Sequence, residues 1–195
     1  MRTTLYGLTS LAVLSVATLL ACGGGGADTG TTPKIAAPAD SSFNPPPATA
    51  PESDKVTWKK DPAFAKCHND VKTGADLVAG VTAMAQGCAK AMGMHQIGTT
   101  TQDMFKNLDP AHPIPLHAEA GHCYRVYGLS EDSLQDLDVA IVDSNNKVAA
   151  EDGSDSPDAV VLEDGEVCFT ATDDVKVNVA AGNGAGKYAV QIWGN

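Results

Sequence analysis

The sequence predicts an α+β domain in which a short helical hairpin, locked by a disulfide, precedes an antiparallel β-sandwich. Three observations carry this. Apolar residues recur at helical spacing between Asp61 and Gly93, they alternate in short runs after Gly98, and four cysteines divide two and two between the patterns. Helices bury a stripe of period 3.6 and half-buried strands a face of period two, so the change of period marks a change of structure.

The first helix is expected to start at Asp61-Pro62, an N-cap followed by a proline that suits the first helical position, and to carry Phe64, Cys67 and Val71 on one face. Thr73-Gly74 ends it. A second helix beginning near Ala75 or Asp76 aligns Leu77, Val81, Met84, Cys88 and Ala91, with Gly93 as its stop. Strands are expected near Leu116 to Ala120, Cys123 to Leu129, Leu137 to Val142, Lys147 to Ala150, Ala159 to Leu162, Val167 to Ala171, Val175 to Ala180 and Tyr188 to Trp193. Turn residues separate them, among them Ser144-Asn145-Asn146, Asp152-Gly153-Ser154 and Gly182-Asn183-Gly184-Ala185-Gly186. Many short strands with such punctuation build a sandwich.

Cys67, Cys88, Cys123 and Cys168 allow three pairings. Locality favours Cys67 with Cys88 in the helices and Cys123 with Cys168 in the strands, closures that contribute about 3 and 4 kcal/mol in the chain-entropy account. A cysteine metal site is the competing reading, without the close CxxC spacing such sites usually show.

Ahead of this domain, assigned to residues 56–195 (helical hairpin 56–98, sandwich 112–195), lie two segments of different composition. Residues 1–21 combine Arg2, an apolar run from Leu5 to Leu20 and a small-residue end, which reads as a secretory signal peptide. Residues 22–55 hold Gly23 to Gly26 and six prolines with only Ile35 and Phe43 as large apolar side chains, too little to offset the entropy of ordering, and are expected to form a linker. Leu19-Leu20-Ala21-Cys22 resembles the lipobox of bacterial lipoproteins. That resemblance implies cleavage before Cys22, a diacylglyceryl thioether on its sulfur and an acylated amine, and so a partner in the lipid bilayer. Two or three acyl chains hold a protein far longer than one. Gly23, which is not the aspartate read as inner-membrane retention, implies the outer membrane.

The chain carries a net charge of −11. Residues 56–122 balance six lysines against six acids, whereas residues 123–195 set 14 acids against four bases. A surface of that sign repels phosphate backbones, so nucleic acid is excluded as a partner, while cations or a basic envelope protein are admitted.

Asp136-Leu137-Asp138-Val139-Ala140-Ile141-Val142-Asp143, a second acidic loop and the closing Gly186-Lys187-Tyr188-Ala189-Val190 resemble the pre-peptidase C-terminal type of jelly-roll sandwich. Such modules are usually non-catalytic, and some bind calcium. Gly121-His122-Cys123-Tyr124-Arg125-Val126 and Ile192-Trp193 are also similar to uncharacterised envelope lipoproteins with a helical pair before such a sandwich.

Of the groups that could carry chemistry, the strongest is acidic: Asp136, Asp138, Asp143, Glu151, Asp152, Asp155 and Asp158 surround one strand pair. Calcium takes six to eight oxygen ligands, which Asp136, Asp138, Asp152 and Asp155 could supply, although Asp and Gly make the same turns with no ion. Met92, Met94, His95 and His68 are a soft-ligand alternative for copper or zinc, with core packing as the competing role. His112, His117 and His122 are spaced by five, which puts neighbours on opposite faces of an extended chain. Gly182 to Lys187 precedes a strand, so it reads as a hairpin and not a phosphate loop. The expected function is a membrane-anchored, non-catalytic envelope lipoprotein with a binding or structural sandwich. The competing class is a metal-dependent or hydrolytic enzyme whose site is assembled from distant residues.

Overall fold

A computed structural model describes residues 50–67 and 76–195. The signal peptide, Cys22, most of the linker, His68 and the expected end of the first helix at Val71 to Gly74 lie outside them. In chain order the described elements are β1 (Val56–Lys60), α1 (Phe64–Cys67), α2 (Leu77–Cys88), a 3-10 turn (Lys90–Met92), β2 (His95–Phe105), β3 (His112–Ala118), β4 (Cys123–Ser130), β5 (Leu134–Val142), β6 (Val148–Glu151), β7 (Asp158–Val160), β8 (Gly165–Phe169), β9 (Asp173–Gly184) and β10 (Gly186–Gly194).

The strands form two antiparallel sheets. One runs β1-β8-β4-β10-β2, with β7 also on β4, and the other runs β3-β9-β5-β6. Their facing sides interleave Tyr124, Val126, Phe169 and Val190 with Leu137, Val139, Ile141, Val177 and Val179. Gly128 allows the sheets to approach, since a Cβ there would meet Leu137 Cδ2 at 2.9 Å and Ala159 Cβ at 3.3 Å. Helix α2 covers the other side of the first sheet, packing Val81, Met84 and Cys88 on Tyr127, Leu129 and Trp193. Strand β4 is therefore covered on both faces, and all eight of its residues are buried.

The fold class is the one the sequence predicts, and each of the eight expected strands overlaps one of β3 to β10. Asp76 caps α2 by accepting from the amides of Val78 (3.0 Å) and Ala79 (3.1 Å), and Gly93 stops the following turn at φ 81°. Both local disulfides are present, Cys67–Cys88 with 5.2 Å between Cα atoms and Cys123–Cys168 joining residues directly opposite in β4 and β8.

The architecture departs from expectation in the placement of the helices. Strands β1 and β2 lie in the stretch read as helical and connecting chain, and they are the two edges of the first sheet, on β8 and β10. The helical pair thus interrupts the sandwich instead of preceding it. In β2 the alternation is broken because Gly98 adopts φ 68° and the register slips, so that residues 98–100 face Gln191 alone. In β1 five residues are too few to declare a period, and what fixes the strand is tertiary: Trp58 Nε1 donates to Ala149 O of the opposite sheet at 2.7 Å.

Candidate functional site

Strand β5 turns Leu137, Val139 and Ile141 into the core, which sends Asp136 and Asp138 to the outer face of the second sheet. Neighbouring β9 presents Gly182 to them. A Cβ on Gly182 would lie 2.1 Å from Asp136 Oδ2 and 2.7 Å from Asp138 Oδ2, so the missing side chain is what makes room for both carboxylates. After β6 ends at Glu151 the chain folds back along β5, where Asp152 N donates to Val139 O (2.8 Å) and Leu137 N donates to Ser156 O (3.0 Å). The Asp152 carboxylate accepts from Ser154 Oγ (3.2 Å) and Val160 N (3.3 Å).

Burial and like charge act together here. Burial first, and then Asp136, Asp155 and Glu151, push Asp138 up to about 6. Burial also pushes Asp152 up to about 7, against the hydrogen bonds from Val160 and Ser154 and with help from Asp138. Asp136 is raised by burial and by Asp155, and Glu151 by burial and by Glu52. Asp136 Oδ1 is buried and has no hydrogen-bond partner. The four residues read as calcium ligands thus influence one another, and two of them share a cradle. Among the described residues, the trio of His, Cys, Asp or Glu ligand atoms that lies mutually within 4.8 Å is Cys123, Glu166 and Cys168, whose two sulfurs are joined in a disulfide.

The remaining candidates separate. Asp143 is buried in the β5–β6 turn. Burial would raise it, but the amides of Lys147 and Asn145, the Ser53 hydroxyl and Lys55 together hold it below the usual carboxylate range. Its role is to order that turn and to fix the incoming chain, Ser53 Oγ donating to Asp143 Oδ2 at 2.7 Å. Met94 is buried in the cluster beneath α2, while Met92 and His95 are exposed. His112 bonds Tyr188 OH (2.8 Å), His117 pairs with Asp174 (2.7 Å) and His122 contacts Asn195, so the three histidines build no common site. Gly182 to Lys187 joins β9 to β10 as a hairpin.

Two features were hidden in the sequence. Gly182 reads as one glycine of a turn-rich run, and only the pairing of β9 with β5 sets it under two carboxylates. Arg125 lies on a run of alternating residues and is wholly buried, its Nη1 donating to Gly165 O and its Nη2 to Glu163 O at 3.3 Å. No protein-family model matches the chain, and no curated protein matches it.

Proposed function

We propose that the chain is an exported lipoprotein of the cell envelope, anchored by acyl chains on Cys22 and carrying a non-catalytic sandwich that binds or supports a partner. The observation that carries this reading is the use of the cysteines. Four of the five form two disulfides in the folded domain, and the fifth closes the lipobox-like Leu19-Leu20-Ala21-Cys22. Disulfides persist in oxidising compartments, which fits export, and a lone cysteine after an apolar segment fits lipidation. The outer membrane is the membrane proposed, from Gly23. A basic envelope protein is the kind of partner that the excess of acids in residues 123–195 would attract.

A second reading concerns calcium on the acidic face. The cradle at Gly182, which gathers Asp136 Oδ2 and Asp138 Oδ2, and the buried Asp136 Oδ1, which has no hydrogen-bond partner, support it. Asp136 and Asp138 would be the first ligands, with Asp152 and Asp155 reaching them from the adjoining loop. A bound cation would offset the mutual repulsion of these groups and draw the loop carboxylates toward those of β5.

Metabolic labelling with palmitate tests the anchor. The native chain is expected to take up label and to partition with membranes, and Cys22→Ser to take up none and to accumulate as the full-length precursor. Label retained by Cys22→Ser would remove the anchor reading.

A further inference from the structure

Strand β4 alternates between the two apolar layers, sending Tyr124 and Val126 into the sandwich and Arg125, Tyr127 and Leu129 under the helices. Arg125 and Tyr127 are each 0 % exposed. They hold two of the three buried side-chain polar atoms that lack a hydrogen-bond partner among the described residues, Arg125 Nε and Tyr127 Oη. Folded proteins pair nearly all such atoms, so two of them on one face, two residues apart, call for a cause. The rest of the guanidinium is held: Nη1 donates to Gly165 O, Nη2 donates to Glu163 O (3.3 Å), and the Phe64 ring covers it. None of these partners carries a full negative charge. Glu166 and Asp164 act on Arg125 through their charge, but Glu166 is engaged by Lys59 at 2.6 Å and Asp164 by Lys60 at 3.2 Å. A buried cation is costly unless an anion stands beside it.

We propose that Arg125 Nε and Tyr127 Oη together bind one small monovalent anion, of the size of chloride, between β4 and the helical layer. Three features set that class. Both groups can donate, and the Nε hydrogen can do nothing else, so the occupant is an acceptor. The unmatched quantity is the guanidinium charge, so the acceptor is negative. Neither residue reaches solvent, so a carboxylate or phosphate carried on a larger molecule does not fit and the anion has one or a few atoms. The two donors serve one place, because the Tyr127 hydroxyl lies close enough to the guanidinium to feel its charge. A water accepting from both would still have two hydrogens to place in the layer where Tyr127 packs with Val81, Met84 and Leu129, whereas an anion has none. Bound there, the ion ties two neighbouring side chains of the central strand together under the roof that Phe64 provides.

The test compares melting temperatures of the purified chain in detergent, at fixed ionic strength, in sodium chloride, sodium bromide and sodium gluconate, whose anion is too large for an enclosed site. The native chain is expected to melt several degrees higher in chloride and in bromide than in gluconate. Tyr127→Phe removes one of the two donors and is expected to lose most of that difference. In chloride the variant should melt below the native chain, and in gluconate it should match or exceed it, because the hydroxyl it removes has no partner there. A native chain indifferent to the anion overturns the proposal. So does a difference that Tyr127→Phe keeps in full, which is a general salt effect. Crystals grown in bromide supply a measurement that needs no variant: an anomalous scattering peak is expected within hydrogen-bond reach of both Arg125 Nε and Tyr127 Oη. A water at that position, or no peak, overturns the proposal as well, and this reading stands even if Tyr127→Phe fails to fold.

Discussion

The guanidinium carbon of Arg125 stands 4.0 Å from the centroid of the Phe64 ring. A cation on the central strand is thereby roofed by the residue that opens α1, so the helix that carries Cys67 is held to α2 by its disulfide and to the sheet by this contact. Tyr127 flanks the same guanidinium at 5.3 Å. Burial lowers the Arg125 pKa and pushes the Tyr127 hydroxyl up to about 12, so in this environment the ring faces and the carbonyls of Gly165 and Glu163 supply the charge with its partners.

Removing that charge should loosen the helical layer. Arg125→Met keeps bulk while losing the ring contact and two hydrogen bonds, and is expected to destabilise by about 2 kcal/mol. Combined with Phe64→Leu in a double-mutant cycle, it should show a coupling of about 1 kcal/mol, read from urea unfolding midpoints. Additive effects would mean that the two residues only share a location.

The acidic face should make the domain more stable at mildly acidic pH. Asp138 and Asp152 have folded pKa values raised to about 6 and about 7, so their protonated forms favour folding. That contribution is complete below the ordinary carboxylate pKa and is lost as pH rises through 6 and 7. Asp143 and Asp173 are shifted down and act oppositely, their contribution disappearing as pH falls below the ordinary carboxylate range. Melting temperature should therefore climb from pH 8 to pH 5 and fall again in stronger acid. Asp152→Asn should raise it at pH 8 and flatten the upper limb. An upper limb of unchanged slope in that variant would place the titration elsewhere.

Calcium should act where protons do. If the cradle at Gly182 takes the ion, saturating calcium at pH 8 stabilises the native state by about 2.7 kcal/mol at a hundredfold excess over Kd. For a domain of this size that is roughly 5 to 10 °C in Tm against EDTA at fixed ionic strength. Gly182→Ala, whose methyl group would strike both carboxylates, should abolish the shift. A shift matched by magnesium, or kept by Gly182→Ala, would leave the face as solvated charge.

The two disulfides should differ in what they hold. Opening Cys67–Cys88 with a double Cys→Ala substitution releases α1 from α2 and should leave the sheet pairings intact, at a cost of about 3 kcal/mol. Opening Cys123–Cys168 removes a tie between β4 and β8 in the sheet itself and should cost about 4 kcal/mol. Amide hydrogen exchange separates the outcomes: faster exchange confined to residues 77–92 in the first case, and in β1, β4 and β8 in the second. The same pattern for both would show that the helical layer and the sheet unfold as one unit.

Local chemistry determined much of this protein without any tertiary context. The start of α2 near Asp76, the stripe of Val81, Met84 and Cys88, the alternation of β5 and β9 and the turn residues between strands are all decided by neighbours a few positions apart, and they read directly from the chain. The division of the cysteines follows from the same locality. Tertiary structure decided the rest, because the deciding contacts join residues far apart in sequence. Strand β1 is a strand because β8, more than a hundred residues later, supplies its hydrogen bonds, and β2 survives a bulge because β10 pairs on either side of it. Arg125 becomes a buried cation only when α1 and α2 close over β4. Asp136 and Asp138 become crowded only when β9 lays Gly182 beside them and the loop after Glu151 returns along β5. Periodicity reports which face a residue occupies, but a face is buried or exposed, paired or crowded, according to what the rest of the chain places against it.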